Sequence, residues 1–236
     1  MVDPQLAERY HFVKSEVARA IARANRDESE VTTIVVTKFH PARLVLDLLE
    51  LGARDFGENK DQEAGPKAAE VLQHQVPEHR WHFVGQLQSN KVKSVLTYAS
   101  AIHSLDRESL LSALVKECAK RRAVSDCKDI DVFIELNLTE DPERGGIQPD
   151  DLKRFATQVL EAPGVNLVGV MGVASLENRV EVDFERIRLA SEAVKQLKPE
   201  ANQISAGMSG DFGLAIQYGA THLRIGTAIT GPRQYN

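Results

Sequence analysis

The stretch VTTIVVTKFHPARLVLDLLELGARDF, residues 31–56, carries three elements in succession. VTTIVVT at 31–37 is a β-branched apolar run and reads as a buried strand. PARLVLDLLELG reads as a helix, and ARDF at 53–56 as a second strand. A strand, a helix and a strand in that order make a parallel pair. The first strand runs directly into Lys38, although an ammonium is costly to bury.

The same unit repeats along the chain. Further strands are expected at 81–85, 101–104, 131–138, 165–171, 202–205 and 221–226. The segments between them read as helices: NKDQEAGPKAAEVLQ, SNKVKSVLTYA, DRESLLSALVKECAKR, QPDDLKRFATQVLEA, VEVDFERIRLASEAVKQL and SGDFGLAIQYG. An opening helix over 3–25 places Leu6, Tyr10, Val13, Val17 and Ile21 on one stripe. Strict alternation of eight strands and seven helices predicts a single α/β domain, a (β/α)8 TIM barrel with an extra N-terminal helix. An open doubly wound sheet is the alternative, since a tally of elements does not show closure.

Composition narrows the function. The chain has 236 residues, 42% hydrophobic, and a net charge of -5, which argues against a nucleic-acid or anionic-membrane surface. Cys118 and Cys127 are too few for a disulfide framework or a zinc site. The N-terminus has no apolar signal region and no run reaches the ~20 residues of a membrane span, so a cytoplasmic protein is expected. Asn137-Leu138-Thr139 matches a glycosylation sequon by chance.

In a barrel, side chains alternate between lumen and helix layer, and active sites gather at the carboxyl ends of the strands. If Ile34 and Val36 point inward, Lys38 stands at the mouth. A strand-end lysine ordinarily snorkels to solvent, whereas a desolvated amine can form a Schiff base with an aldehyde. In THLRIGTAITGPR, Leu223 and Ile225 would face the helices, leaving His222 and Arg224 in the lumen ahead of Gly226-Thr227. The loop SAGMSGDFGLA offers a second glycine-rich turn before a helix, and such turns suit a phosphate. Neither turn matches a P-loop or a GxGxxG fingerprint. A lysine on one side and a phosphate cradle on the other point to pyridoxal 5′-phosphate (PLP).

The sequence also resembles the pyridoxal phosphate homeostasis protein family (YggS/PROSC-like), a barrel related to the PLP-binding domain of alanine racemase. The resemblance runs from about residue 5 to Tyr235. It is carried by VVTK (35–38), DFGENKDQEA (55–64), WHFVGQLQSNK (81–91), HSLD (103–106), ELNL (135–138), GVMGV (169–173), SAGMSGDFGLAI (205–216) and RIGTAITGPRQY (224–235). It implies Lys38 as the Schiff-base lysine and Arg224 as partner of the pyridine nitrogen. Ser205, Met208, Ser209, Gly226 and Thr227 would surround the phosphate, with Asn59 and His82 at the cofactor's edge. Lys60 stands where an aromatic commonly follows GEN, and Thr230 where a phenylalanine commonly precedes GxR.

An arginine donates but does not protonate the ring nitrogen, which weakens the electron sink of the cofactor. The sequence runs to Asn236, barely past the eighth strand, so the second catalytic domain of the racemases is not expected. Tyr10, Tyr98, Tyr218 and Tyr235 offer no evident base. The expected function is therefore a carrier that takes part in PLP homeostasis with little or no turnover and no metal. A racemase-like PLP enzyme and a cofactor-free lysine aldolase are the alternatives. PLP-dependent apo-enzymes are candidate acceptors, rim residues Lys60 and Lys91 are ordinary solvated lysines unless such a partner docks, and a monomer or weak dimer is expected. His82, His103 and His222 lie on separate strands and read as hydrogen-bonded lumen histidines rather than a metal triad.

Overall fold

The computed structural model of the chain describes residues 2–139, 141, 144–174 and 179–232. Eight parallel strands pair in sequence order and close into a barrel, which excludes the open sheet. They are β1 (Thr32–Val36), β2 (Asp55–Glu58), β3 (Arg80–Phe83), β4 (Ala99–Leu105), β5 (Ile130–Glu135), β6 (Val165–Met171), β7 (Gln203–Ser205) and β8 (His222–Ile225). Around them run α1 (Pro4–Arg23), α2 (Ala42–Glu50), α3 (Asp61–Val71), α4 (Val92–Val95), α5 (Glu108–Arg122), α6 (Leu152–Glu161), α7 (Val180–Lys195), α8 (Phe212–Gln217) and α9 (Thr227–Thr230). Among the described residues no helix is long and apolar enough to cross a membrane.

Alternation sorts the side chains into two cores. Val35, Phe56, Ile102, Ile134, Leu223 and Ile225 join the large cluster between sheet and helices. Ala101, Phe133, Val168 and Met171 form a separate small cluster, which is the apolar part of the lumen. Ile34 and Val36 stay outside the large cluster, and both lie against Gly57 of β2, as inward-facing residues should. In α1 the buried residues are Leu6, Tyr10, Val13, Val17 and Ile21, the stripe read from the sequence. Burying each apolar side chain there stabilises by about 1.5–3 kcal/mol. Asp3 caps the helix on the Gln5 N–H. Arg9 then donates to the Ile229 carbonyl, and Arg26 to those of Ile216 and Ala220, tying α1 to the elements that flank β8.

Several boundaries differ from the expectation for local reasons. β2 begins at Asp55 because the Ala53 N–H closes α2 on the Leu48 carbonyl. β5 stops at Glu135, where the buried Asn137 takes over. Its side chain accepts from the Thr139 N–H and hydroxyl and donates to the carbonyls of Asp141 and Arg144, so the sequon asparagine is fully engaged within its loop. SNKVKSVLTYA forms a 3-10 turn and the single-turn α4 rather than one helix. The four-residue α9 was not expected at all.

Gly169 of β6 pairs with Gln203 of β7 at such close approach that a Cβ would lie 1.8 Å from the Gln203 carbonyl oxygen. Gly169→Ala is expected to cost more than ~2 kcal/mol in chemical denaturation. Gly213→Ala, in open space within α8, should be neutral or stabilise by up to ~1 kcal/mol.

Candidate functional site

Lys38 follows β1, and the chain is held on both sides of it. Thr37 donates its N–H to the Gly57 carbonyl and its hydroxyl to Glu58 Oε1 at 2.6 Å. Lys67 of α3 reaches the same oxygen at 2.5 Å and the Thr37 carbonyl at 2.9 Å. All three side chains are buried behind the strand, so Thr37 faces the helices and Lys38 faces the mouth. Burial pushes the Glu58 carboxyl up, against the attraction of Lys67 and the Thr37 bond, and its Oε2 has no partner. On the other side Phe39 adopts φ 66°, a left-handed conformation that costs a non-glycine residue ~1–2 kcal/mol. Its N–H donates to Glu63 Oε2, and Lys60 lies over its ring at 5.6 Å. The rim therefore carries its aromatic on Phe39 beneath the Lys60 ammonium. Lys38 itself is half-buried and makes no hydrogen bond or ion pair among the described residues.

β8 lies beside β1, with Arg224 opposite Ile34. Arg224 is buried and donates from Nη1 to Ser205 Oγ at 2.6 Å and from Nη2 to the Gly172 carbonyl at 2.9 Å. It forms no ion pair among the described residues. Burial lowers it to about 10, against the pull of Glu135 and Asp211, so it stays cationic at neutral pH. Two residues on, Gly226 turns into α9 beside Val36, to whose Cβ and carbonyl oxygen a Cβ at Gly226 would lie 3.6 Å. The N–H groups of Ile229 and Thr230 return to the Gly226 carbonyl; Thr230 is buried in holding that turn, while Thr227 is exposed. Ser209 from the loop after β7 accepts the Ala228 N–H at 3.4 Å, joining the two loops. Asn59 stands at the end of β2 with a buried Oδ1 that has no partner. A Cβ on Gly85 would lie 2.3 Å from the Asn59 carbonyl, so only glycine allows this approach.

Three expected site residues are already engaged by neighbouring groups. The Ser205 hydroxyl is fully buried between Arg224 and His103. Both ring nitrogens of His82 are engaged, Nδ1 with His103 and Nε2 with Asp55, each at 2.9 Å. The Met208 N–H is taken by Asp211 Oδ1, and its side chain is exposed. Sequence reasoning missed Glu58, Lys67 and Glu63, which clamp the backbone around Lys38, and also Glu135. Glu135 lies on the lumen side of β5, where burial and Asp106 raise it to about 7 against Arg224, Arg144 and Arg107. Tyr235 and the final residues of the GPRQY block lie outside the described residues.

The three lumen histidines do converge. His103 stacks on Phe133 at 4.2 Å, and His222 meets the rings of His82, His103 and Phe133 edge-on or tilted. Burial holds all three below the ordinary imidazole range, His103 well below it and His222 at about 3. Among the described residues no group of histidine, cysteine and carboxylate side chains is arranged to hold a metal ion.

Comparison with known proteins places this geometry. Residues 14–234 match the family model for the alanine racemase N-terminal domain. The pyridoxal phosphate homeostasis protein of Mycobacterium leprae is 37% identical over 230 residues, 93% of this chain and 90% of that one. Its Escherichia coli K12 counterpart is 33% identical over 227 residues, 95% of each chain. Among solved structures, PipY of Synechococcus elongatus PCC7942 with PLP bound has a TM-score of 0.81 at 29% identity, covering 96% of this chain and all of that one. Alanine racemase from Corynebacterium glutamicum shares the fold, with a TM-score of 0.67 at 12% identity over 93% of this chain and 61% of that one.

The buried titratable groups set a pH dependence. His82, His103 and His222 are neutral when folded and take up protons on unfolding below about pH 6.5, so their contribution to stability is lost as pH falls. Glu135, raised to about 7, and Glu58, also raised by burial, act in the opposite sense, favouring the folded state as pH falls. Three rings gain protons on unfolding against two carboxyls that lose them, so stability should fall as the pH goes from about 6.5 to 5 in urea titrations. A flat or rising profile would contradict the buried neutral rings.

Proposed function

The chain belongs to the pyridoxal phosphate homeostasis protein family, and we propose on that basis that its barrel mouth holds PLP, covalently on Lys38, in service of cellular PLP homeostasis. The observation that carries this reading is the placement of an unpaired, half-buried Lys38 amine and the buried Arg224 on adjacent strands, beside the Gly226 turn. The residues present fit the group. Asn59 Oδ1 is a buried acceptor in need of a donor, and Arg224 is a buried cation bonded only to neutral oxygens.

Bound PLP supplies an aldehyde carbon that condenses reversibly with a primary amine, and a ring that withdraws electrons from it. Lys38 supplies that amine, held in place through Thr37 and Phe39. Arg224 would donate an N–H toward the ring nitrogen and keep its own proton, since it remains cationic well above neutral pH. A donor that does not surrender its proton leaves the ring a poor electron sink, which supports holding over turnover. Gly226, Thr227 and Ser209, on the two loops that meet there, would hold the phosphate. PLP-dependent apo-enzymes are the acceptors this reading names.

A second reading, a racemase-like amino-acid enzyme, draws on Glu135, a lumen carboxyl that can hold or release a proton near neutral pH. Following single amino-acid enantiomers for loss of optical purity separates the two. Robust turnover would favour the second.

Thr227→Ala is expected to weaken PLP about tenfold by equilibrium dialysis, a loss of ~1.4 kcal/mol, and to leave pyridoxal, which lacks the phosphate, nearly unchanged. Equal losses for both would remove Thr227 from the phosphate rim. Lys38→Ala should abolish the visible absorption that the wild-type protein acquires with PLP.

A further inference from the structure

A continuous file of hydrogen bonds crosses the lumen beneath the mouth. Arg224 Nη1 meets Ser205 Oγ at 2.6 Å, and Ser205 Oγ meets His103 Nδ1 at 2.8 Å. His103 Nε2 meets His82 Nδ1 at 2.9 Å, and His82 Nε2 meets Asp55 Oδ1 at 2.9 Å. Arg80, at the start of β3, donates to the same Asp55 oxygen at 2.8 Å. Every member between Arg224 and Asp55 is buried.

The two ends dictate the direction. A guanidinium only donates, and an ionised carboxylate only accepts. Burial alone would raise Asp55, but the bonds and charge from His82 and Arg80 outweigh it and hold the carboxyl below its ordinary range. Ser205 accepts from Arg224, so its single hydroxyl proton goes to His103 Nδ1. His103 then carries its proton on Nε2 and passes a donor to His82 Nδ1. His82 likewise carries its proton on Nε2 and donates to Asp55. With two neutral rings, no other arrangement satisfies all four bonds.

We propose that Asp55 is a positioning residue for Arg224: as the terminal acceptor it sets the polarity of His82, His103 and Ser205, and so keeps the Ser205 oxygen turned toward the guanidinium. Without an acceptor at position 55, His82 loses its reason to hold the Nε2 proton. If that proton moves to Nδ1, His103 must donate from Nδ1 to Ser205, and the serine hydroxyl is left with two donors and no acceptor for its own proton. The charged and titratable groups around the rings are Asp55, Arg80, Asp131 and His222 beside His82, and His82, His222 and Arg224 beside His103. The family reading assigns Arg224 to the ring nitrogen; the extension here is that its orientation is dictated from the other end of the lumen. The consequence for a bound ring rests on the PLP reading, whereas the polarity of the file does not.

Two measurements on the full chain test this. Histidine side-chain 15N NMR of the wild-type protein without added cofactor should show His82 and His103 neutral with the proton on Nε2 across about pH 6 to 8. An Nδ1-protonated ring or an imidazolium at either position would overturn the proposal. With PLP added, Asp55→Leu should move the pH midpoint of the visible band by at least ~0.5 unit, and Asp55→Asn, which keeps an acceptor oxygen, should restore most of it. An unmoved midpoint in folded, coloured Asp55→Leu would overturn the positioning role. A wild-type protein that takes up no colour would overturn the PLP reading instead, and the ring tautomers would then decide the polarity on their own.

Discussion

The site depends on a buried ion pair that does not itself face the site. Glu58 and Lys67 sit in the layer between barrel and helices, and both act on Thr37. Removing two charges from water costs several kcal/mol per ion unless geometry and extra hydrogen bonds offset it. Here a hydroxyl and a backbone carbonyl supply those bonds. The pair thereby ties the end of β1 to β2 and α3, and fixes Thr37 on the outer face. Lys38 follows directly on this fixed residue. Lys38 is placed by what its neighbour is bonded to.

The lumen shows the complementary solution. A barrel interior is normally filled by branched apolar side chains, and here a small apolar cluster shares the space with Asp55, three histidines, Ser205 and Arg224. Such groups are tolerated because the rings are neutral and each polar contact is satisfied by the next. Polarity runs from a cation near the mouth to a carboxylate backed by Arg80. The guanidinium is therefore braced from below by Ser205 and from the side by the Gly172 carbonyl, and its charge is left for the mouth.

Period-two reasoning read the barrel well, because alternation is a local property that closure preserves. Ile34, Val36 and Arg224 fell on the expected face for that reason. Partners were less legible. Ser205, His82 and Met208 lie in the right blocks, yet their hydrogen bonds are spent on residues from other strands or on a neighbouring carboxylate, and no spacing rule reveals that. Glu58 and Lys67 lie nine positions apart across a strand end and a helix, a separation that matches neither periodicity. β5 was read too long because Leu136 and Leu138 are apolar, although Asn137 between them builds the loop. α9 has four residues, too short to carry a helical pattern.

The central claim is that one amine, Lys38, is set apart from the chain's other lysines by its position at the mouth. Reducing the PLP-loaded protein with borohydride and mapping the peptides by mass spectrometry tests it most directly. The added pyridoxyl mass should appear on the peptide containing Lys38. Its appearance instead on Lys60, Lys67 or Lys91, with Lys38 unmodified, would contradict the account.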